Sequence, residues 1–177
     1  MSDNTLLSLQ QAAAAVLDPL LEQPPTGPLP PDGVLAPGVW IHADPEGQQQ
    51  VESLQLPGGG LTLRTTVQHP GGWLALHIAL GEVDLSDHVL IGFYARIQAP
   101  RACTWRACLR SGTEVGFVDH FFDRDVVSYG AASSHMDMME LAPQRRLPRR
   151  ADWREFILFF HVESFETTLL DLRLFAA

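Results

Sequence analysis

Six of the thirteen prolines, Pro24, Pro25, Pro28, Pro30, Pro31 and Pro37, fall between Gln23 and Pro37. Each fixes its own φ and restricts the residue before it, so no long helix or central strand runs through this stretch. It reads as a stiff, extended linker; a ligand for a proline-recognition domain is the alternative. The hydrophobic period differs on its two sides. Before it, Leu6, Leu9, Ala13, Val16, Leu17 and Leu20 recur at helical spacing and make one apolar stripe. Asp3, Asn4 and Thr5 are candidate caps for a helix over 6–17, and Asp18-Pro19 ends it or opens one further turn.

From Gly38 onward the period is two. Apolar alternation predicts strands near 39–43, 51–56, 61–67, 74–80, 89–97, 102–109, 115–122, 126–129, 153–162 and 167–175. Pro57-Gly58-Gly59-Gly60 and Pro70-Gly71-Gly72 supply turns between them. About ten short strands with no helix between them predict an all-β sandwich or barrel and exclude a parallel α/β sheet. The expected organisation is a helical arm over 1–22, a linker over 23–37 and a β-sandwich over 38–177. Such a helix packs on its own domain or docks on a partner. Amphipathic helices most often serve their own core; the linker supports the alternative, an arm through which the chain would form a homo-oligomer. The strand at 153–162 is apolar on both faces, as suits a strand covered on both sides. In the last strand Leu170, Leu172 and Leu174 face the core and Asp171 and Arg173 face away.

With 177 residues, 46% of them apolar and 19% charged, the chain can bury a sizeable core. The net charge of -9 argues against a nucleic-acid partner, and the lack of a basic amphipathic stretch argues against a membrane surface. All twelve basic residues are Arg, which a biased genome explains. The lack of Lys excludes Schiff-base and P-loop chemistry. The opening Met1-Ser2-Asp3-Asn4 is acidic where an export signal is basic. Cys103 and Cys108 are five apart in one strand, hence on opposite faces and poorly placed to bridge. Free thiols without a signal point to the cytoplasm.

Two stretches carry a family resemblance. His88-Val-Leu-Ile-Gly-Phe-Tyr-Ala-Arg-Ile97 is followed by a strand at 102–109, and Trp153-Arg-Glu-Phe-Ile-Leu-Phe-Phe160 leads to Leu169-Leu-Asp-Leu-Arg-Leu-Phe175. They resemble the β-jelly-roll carbohydrate-binding modules, the galactose-binding-like sandwiches, over Gly38 to Phe175. The resemblance implies a jelly roll and glycan binding, and it transfers no sugar-binding residue. Such modules are usually exported and joined to a catalytic domain, neither of which is visible here.

Two constellations are candidates for function. Asp119, His120, Asp123, Asp125, His135 and Asp137 crowd into one stretch where a hydrolase or lyase would have its carboxylates and imidazoles. The stretch lacks a compact ligand motif, so neither a metal nor a cofactor is predicted. No Gly-x-Ser-x-Gly elbow is present, and a strand cysteine is ordinarily inert. The second constellation is a polar sheet face. His77, Tyr94, Arg96, Arg106, Asp171 and Arg173 stand opposite apolar alternators, and Asp119 and His120 interrupt an apolar strand. On one curved sheet these eight would suit sugar hydroxyls, ring faces and an acidic or neutral saccharide. An ordinary solvated face with Arg–Asp pairs is the alternative. The sequence reading is thus a non-catalytic binding module, with an enzyme or an assembly protein as alternatives.

Overall fold

A computed structural model describes residues 8–177. In chain order the elements are α1 (Leu9–Glu22), β1 (Gly27–Leu29), β2 (Val34–Ala36), β3 (Val39–Ala43), β4 (Gln48–Leu54), β5 (Leu61–His69) and β6 (Leu74–Gly81). Then come β7 (Leu90–Gln98), β8 (Cys103–Thr113), β9 (Gly116–Phe121), β10 (Val126–Ser128), β11 (Ser133–Glu140), β12 (Arg154–Phe160) and β13 (Phe165–Ala176). The strands form two antiparallel sheets. One has six strands in the order β1-β4-β5-β13-β7-β11; the other has seven, β10-β8-β12-β6-β3-β2, with β9 also on β8. The alternators meet between them: Ile41, Leu76, Ile78, Leu109, Phe156 and Leu158 from one sheet pack with Leu61, Ile91, Phe93, Ala95, Leu172 and Leu174 of the other. The fold is the expected all-β jelly-roll sandwich with one short helix. It has thirteen described strands rather than ten.

The helix starts at Ser8, whose Oγ accepts from the Gln11 backbone N–H while the Gln11 side chain accepts from the Ser8 N–H. The candidate caps Asp3, Asn4 and Thr5, and Leu6, lie outside the described residues. Pro19 is accommodated inside the helix, which runs on to Glu22. Leu9, Ala13, Leu17 and Leu20 are buried in the core, and the helix contacts β13 of one sheet and β6 of the other. It lies beside the half of β13 that β5 does not reach: Gln10 donates to the Ala176 carbonyl, and Arg173 pairs with Asp18. The helix is therefore a packed element rather than a free arm. The apolar stripe that would have met a second copy is spent on its own core.

The proline-rich stretch is likewise part of the body. Gly27–Leu29 pairs with β4 and Val34–Ala36 with β3. Both are edge strands, where a proline costs no ladder bond on its free side. Ser53 donates to the Pro25 carbonyl, and the Ala43 N–H donates to the Pro31 carbonyl. No described helix is long and apolar enough to cross a membrane.

Candidate functional site

The alternation that buries Val39, Ile41 and Ala43 turns Trp40 and His42 outward from the seven-stranded sheet. Cross-strand register then fixes their neighbours. One row reads Trp40, His77, Ile157, Cys108, Phe121; the next reads His42, Ala75, Phe159, Arg106. With strands about 4.8 Å apart, the first row spans roughly 19 Å. Ala75, Ile157 and Cys108 point away from the core yet are 0% exposed. They are small or apolar, and the larger rings around them wall them in, which makes a low apolar floor. Burial pushes the Cys108 thiol up to about 12, so it is inert floor. Both cysteines are free.

Each wall has a local cause. Trp40 stacks on His77 with ring centroids 5.0 Å apart, and His77 Nδ1 shares a 2.8 Å hydrogen bond with Glu155. Trp73 sits over His42, edge to face at 5.6 Å. Its backbone is held by the Asp44 turn. The Asp44 N–H and Gln49 Nε2 donate to the Trp73 carbonyl, and the Asp44 carboxylate accepts from the Gly72 and Glu46 N–H groups. Those backbone donors hold the Asp44 carboxyl below its ordinary value. Position 71 must be glycine, because a Cβ there would come within 2.6 Å of Asp44 Cβ. At the other end Trp153 lies across Gly112, in space that a Cβ would occupy. Arg110 sits 3.9 Å from the Phe117 centroid and grips Asp119 with a fork of 2.7 and 2.8 Å. Arg106 lies 4.2 Å over Phe121, which tilts against Phe159 at 5.7 Å. Trp73, Phe117, Phe121 and Trp153 remain exposed.

Of the eight residues singled out in the sequence, the structure brings together three on this face: His77, Arg106 and Asp119. His77 is 3% exposed and serves as part of the wall. His120 points inward, level with Leu109, and burial lowers its imidazole below its ordinary value. Tyr94, Arg96, Asp171 and Arg173 lie on the outer face of the six-stranded sheet, across the whole sandwich. There Asp171 is level with Arg96 and Arg173 with Tyr94. Arg173 is committed to Asp18 and Asp171, and Tyr94 to Ser134. The expected single face with three converging arginines is thus two faces, because β8 belongs to one sheet and β7 and β13 to the other.

The crowded acidic stretch also divides. Asp119 faces outward, held by Arg110. His135 faces inward on the Phe93 ring at 5.5 Å, and Asp137 is buried, accepting from the Arg124 and Met138 N–H groups. No cluster of three or more metal-ligating side chains occurs among the described residues. The sequence reading missed Trp40, Trp73, Phe117, Phe121, Trp153 and Phe159 as site residues. The signal was there: Trp40, Trp153 and Phe159 all fall opposite core alternators. A cavity of about 410 Å³ lies beyond the end of this face, between the start of β8 and the 161–166 turn, where Thr104 and His161 meet at 2.6 Å.

No family model matches the chain, and no curated protein matches it. Solved structures do share its fold. A family 4 carbohydrate-binding module superposes with a TM-score of 0.59 at 10% identity, over 85% of this chain and 95% of that one. The family 11 module from Clostridium thermocellum, solved with a β-1,3-1,4-mixed-linked tetrasaccharide, gives 0.53 at 13% identity over 86% and 96%. A xylan-binding family 22 domain from Paenibacillus barcinonensis gives 0.53 at 8% identity over 88% and 96%. At these identities the likeness is one of fold.

Proposed function

We propose that this chain is a non-catalytic saccharide-binding module that holds an extended oligosaccharide across the outer face of its seven-stranded sheet. The observation that carries the reading is the buried floor of Ala75, Ile157 and Cys108 between two sets of aromatic walls. Sugar rings offer a flat C–H face and a polar rim, and aromatic side chains with neighbouring fork donors match both. The modules that share the fold support the reading at the level of architecture. An acid–base pair in the 119–137 region finds no such support, since Asp119 is neutralised by Arg110 and His120 faces the interior.

Isothermal titration with mixed-linkage glucan, xylan and uronic-acid oligosaccharides tests the reading. Trp40→Ala and Phe159→Ala are each expected to weaken binding about tenfold, the loss of one good aromatic anchor. Tyr94→Ala, on the opposite sheet, leaves it unchanged. Failure to bind any of these saccharides, or an equal loss in Tyr94→Ala, refutes the proposal.

A further inference from the structure

The charges of the aromatic face narrow the class of ligand. Arg110 closes on Asp119, and the Glu155 and Asp32 carboxylates lie 2.8 Å from His77 and 3.6 Å from His42. Arg106 is different. Among the described residues it pairs with no carboxylate and donates no hydrogen bond, and its only partner is the Phe121 ring beneath it. A cation–π contact of this kind fixes the guanidinium plane and uses none of its five N–H donors. Phe159 is the direct cross-strand neighbour of Arg106. The Phe121 ring that carries the guanidinium tilts against Phe159 at 5.7 Å, so a sugar ring resting on Phe159 has its edge toward a pre-oriented, empty fork.

Building on the reading of this face as a saccharide site, we propose that it selects acidic saccharides. The Arg106 fork takes a ring carboxylate bidentately while the ring stacks on Phe159. A hydroxyl offers the fork one neutral acceptor; a carboxylate offers two charged ones in matching geometry. The net charge of -9 opposes long-range attraction of an anion. Selectivity must then arise in contact, from the one guanidinium of this face that has no internal counter-charge.

The test uses ligand pairs in which a carboxylate is replaced by its neutral methyl ester: oligogalacturonate and oligomannuronate, each against its ester, titrated calorimetrically. Neutral glucan and xylan oligosaccharides are run alongside. The wild type is expected to bind at least one acid about tenfold more tightly than its ester. Arg106→Ala abolishes that preference, so that acid and ester bind alike, and Arg106→Lys restores it in part because a point charge lacks the fork. Arg106 is exposed, and an unchanged melting temperature confirms that the variants fold. Equal affinity for acid and ester, binding of neutral chains only, or a preference that survives in Arg106→Ala overturns acidic selection and leaves saccharide binding standing. Failure of every acid, ester and neutral chain to bind removes the reading of the face and this inference with it.

Discussion

Among the described residues Arg154 is the most deeply buried charge, at 1% exposure, and no carboxylate pairs with it. Its counter-groups are backbone. Nε donates to the Val83 carbonyl at 2.9 Å, Nη2 to those of Pro148 and Arg149 at 2.7 and 2.9 Å, and Nη1 to Ser111 Oγ. Burial lowers its pKa to about 10, so the group is still charged at neutral pH. One fork thus fastens two connections, β6–β7 and β11–β12, to the end of the seven-stranded sheet. Arg154→Met has nearly the same length but no donors, and it strands the Val83 and Pro148 carbonyls and the Ser111 hydroxyl, while the Arg149 carbonyl keeps the Leu85 N–H. Each stranded group costs about 1–3 kcal/mol where it stays dry. Relief from burying an ion offsets part of this, leaving a net loss of about 2–4 kcal/mol. Arg154→Lys is expected to lose nearly as much, because an ammonium cannot reach three separated carbonyls. Urea unfolding at neutral pH measures both, with an unchanged m-value showing that only stability moved. A loss below about 1 kcal/mol in Arg154→Met would mean that the two connections hold themselves and that the anchoring argument is wrong.

The packing of the helix gives a second test. Leu17 is 0% exposed in the core, so Leu17→Ala is expected to cost about 2–5 kcal/mol in the same assay, and a change below about 1 kcal/mol would restore the free arm. A third concerns pH. Burial is the main cause that lowers the pKa of both His120 and His135, outweighing the opposing carboxylates of Asp119 and Asp137. The unfolded chain takes up these protons first, so stability should fall as pH drops from about 6.5 toward the folded values. The double variant His120→Gln, His135→Gln is expected to flatten that slope in urea midpoints taken between pH 7 and 5; an unchanged slope refutes the assignment.

How far the sequence speaks depends on what each strand must satisfy. Strands β3, β6 and β7 have one face in the core, and their alternation was legible to within a residue or two; in β13 a bulge between Leu169 and Asp171 puts Leu169 in the core in place of the expected Leu170, and Leu172 and Leu174 alone were legible. Strand β11 was not, because its pattern is inverted. Met136 and Met138 are 55% and 47% exposed, while His135 and Asp137 point inward. An edge strand can do this because backbone N–H groups near the rim satisfy the Asp137 carboxylate locally, while His135 stacks on Phe93 with its Nε2 left without a hydrogen-bond partner. Strands β1 and β2 were hidden by prolines that forbid a central strand and are tolerated at an edge. The helix was legible as a helix, but its place was not, since a period of 3.6 shows that a stripe is apolar and not what covers it.

The same limit explains why the candidate site was only half legible. A period of two says that Arg106 and Arg173 both face away from the core. It cannot say from which sheet, because that depends on strand pairings far apart in sequence. Once pairing is known, the two outer faces part company. On the six-stranded sheet Arg96 stands outward with no ion pair among the described residues, while Arg173 is consumed at home, where it ties Asp18 of the helix to the sheet. That ion pair is a fastening, and its charge is cancelled. On the seven-stranded sheet the outward groups at the centre of the rows are Ala75, Ile157 and Cys108, which have nothing to fasten. Outward apolar residues at three central positions are a poor choice for a face that meets only water. Their cost is bearable because Trp40, His77, Phe121 and Phe159 shield them from the sides. The side chains that shield the floor are also the ones that would grip a flat ring, so on this face the demands of stability and of binding coincide.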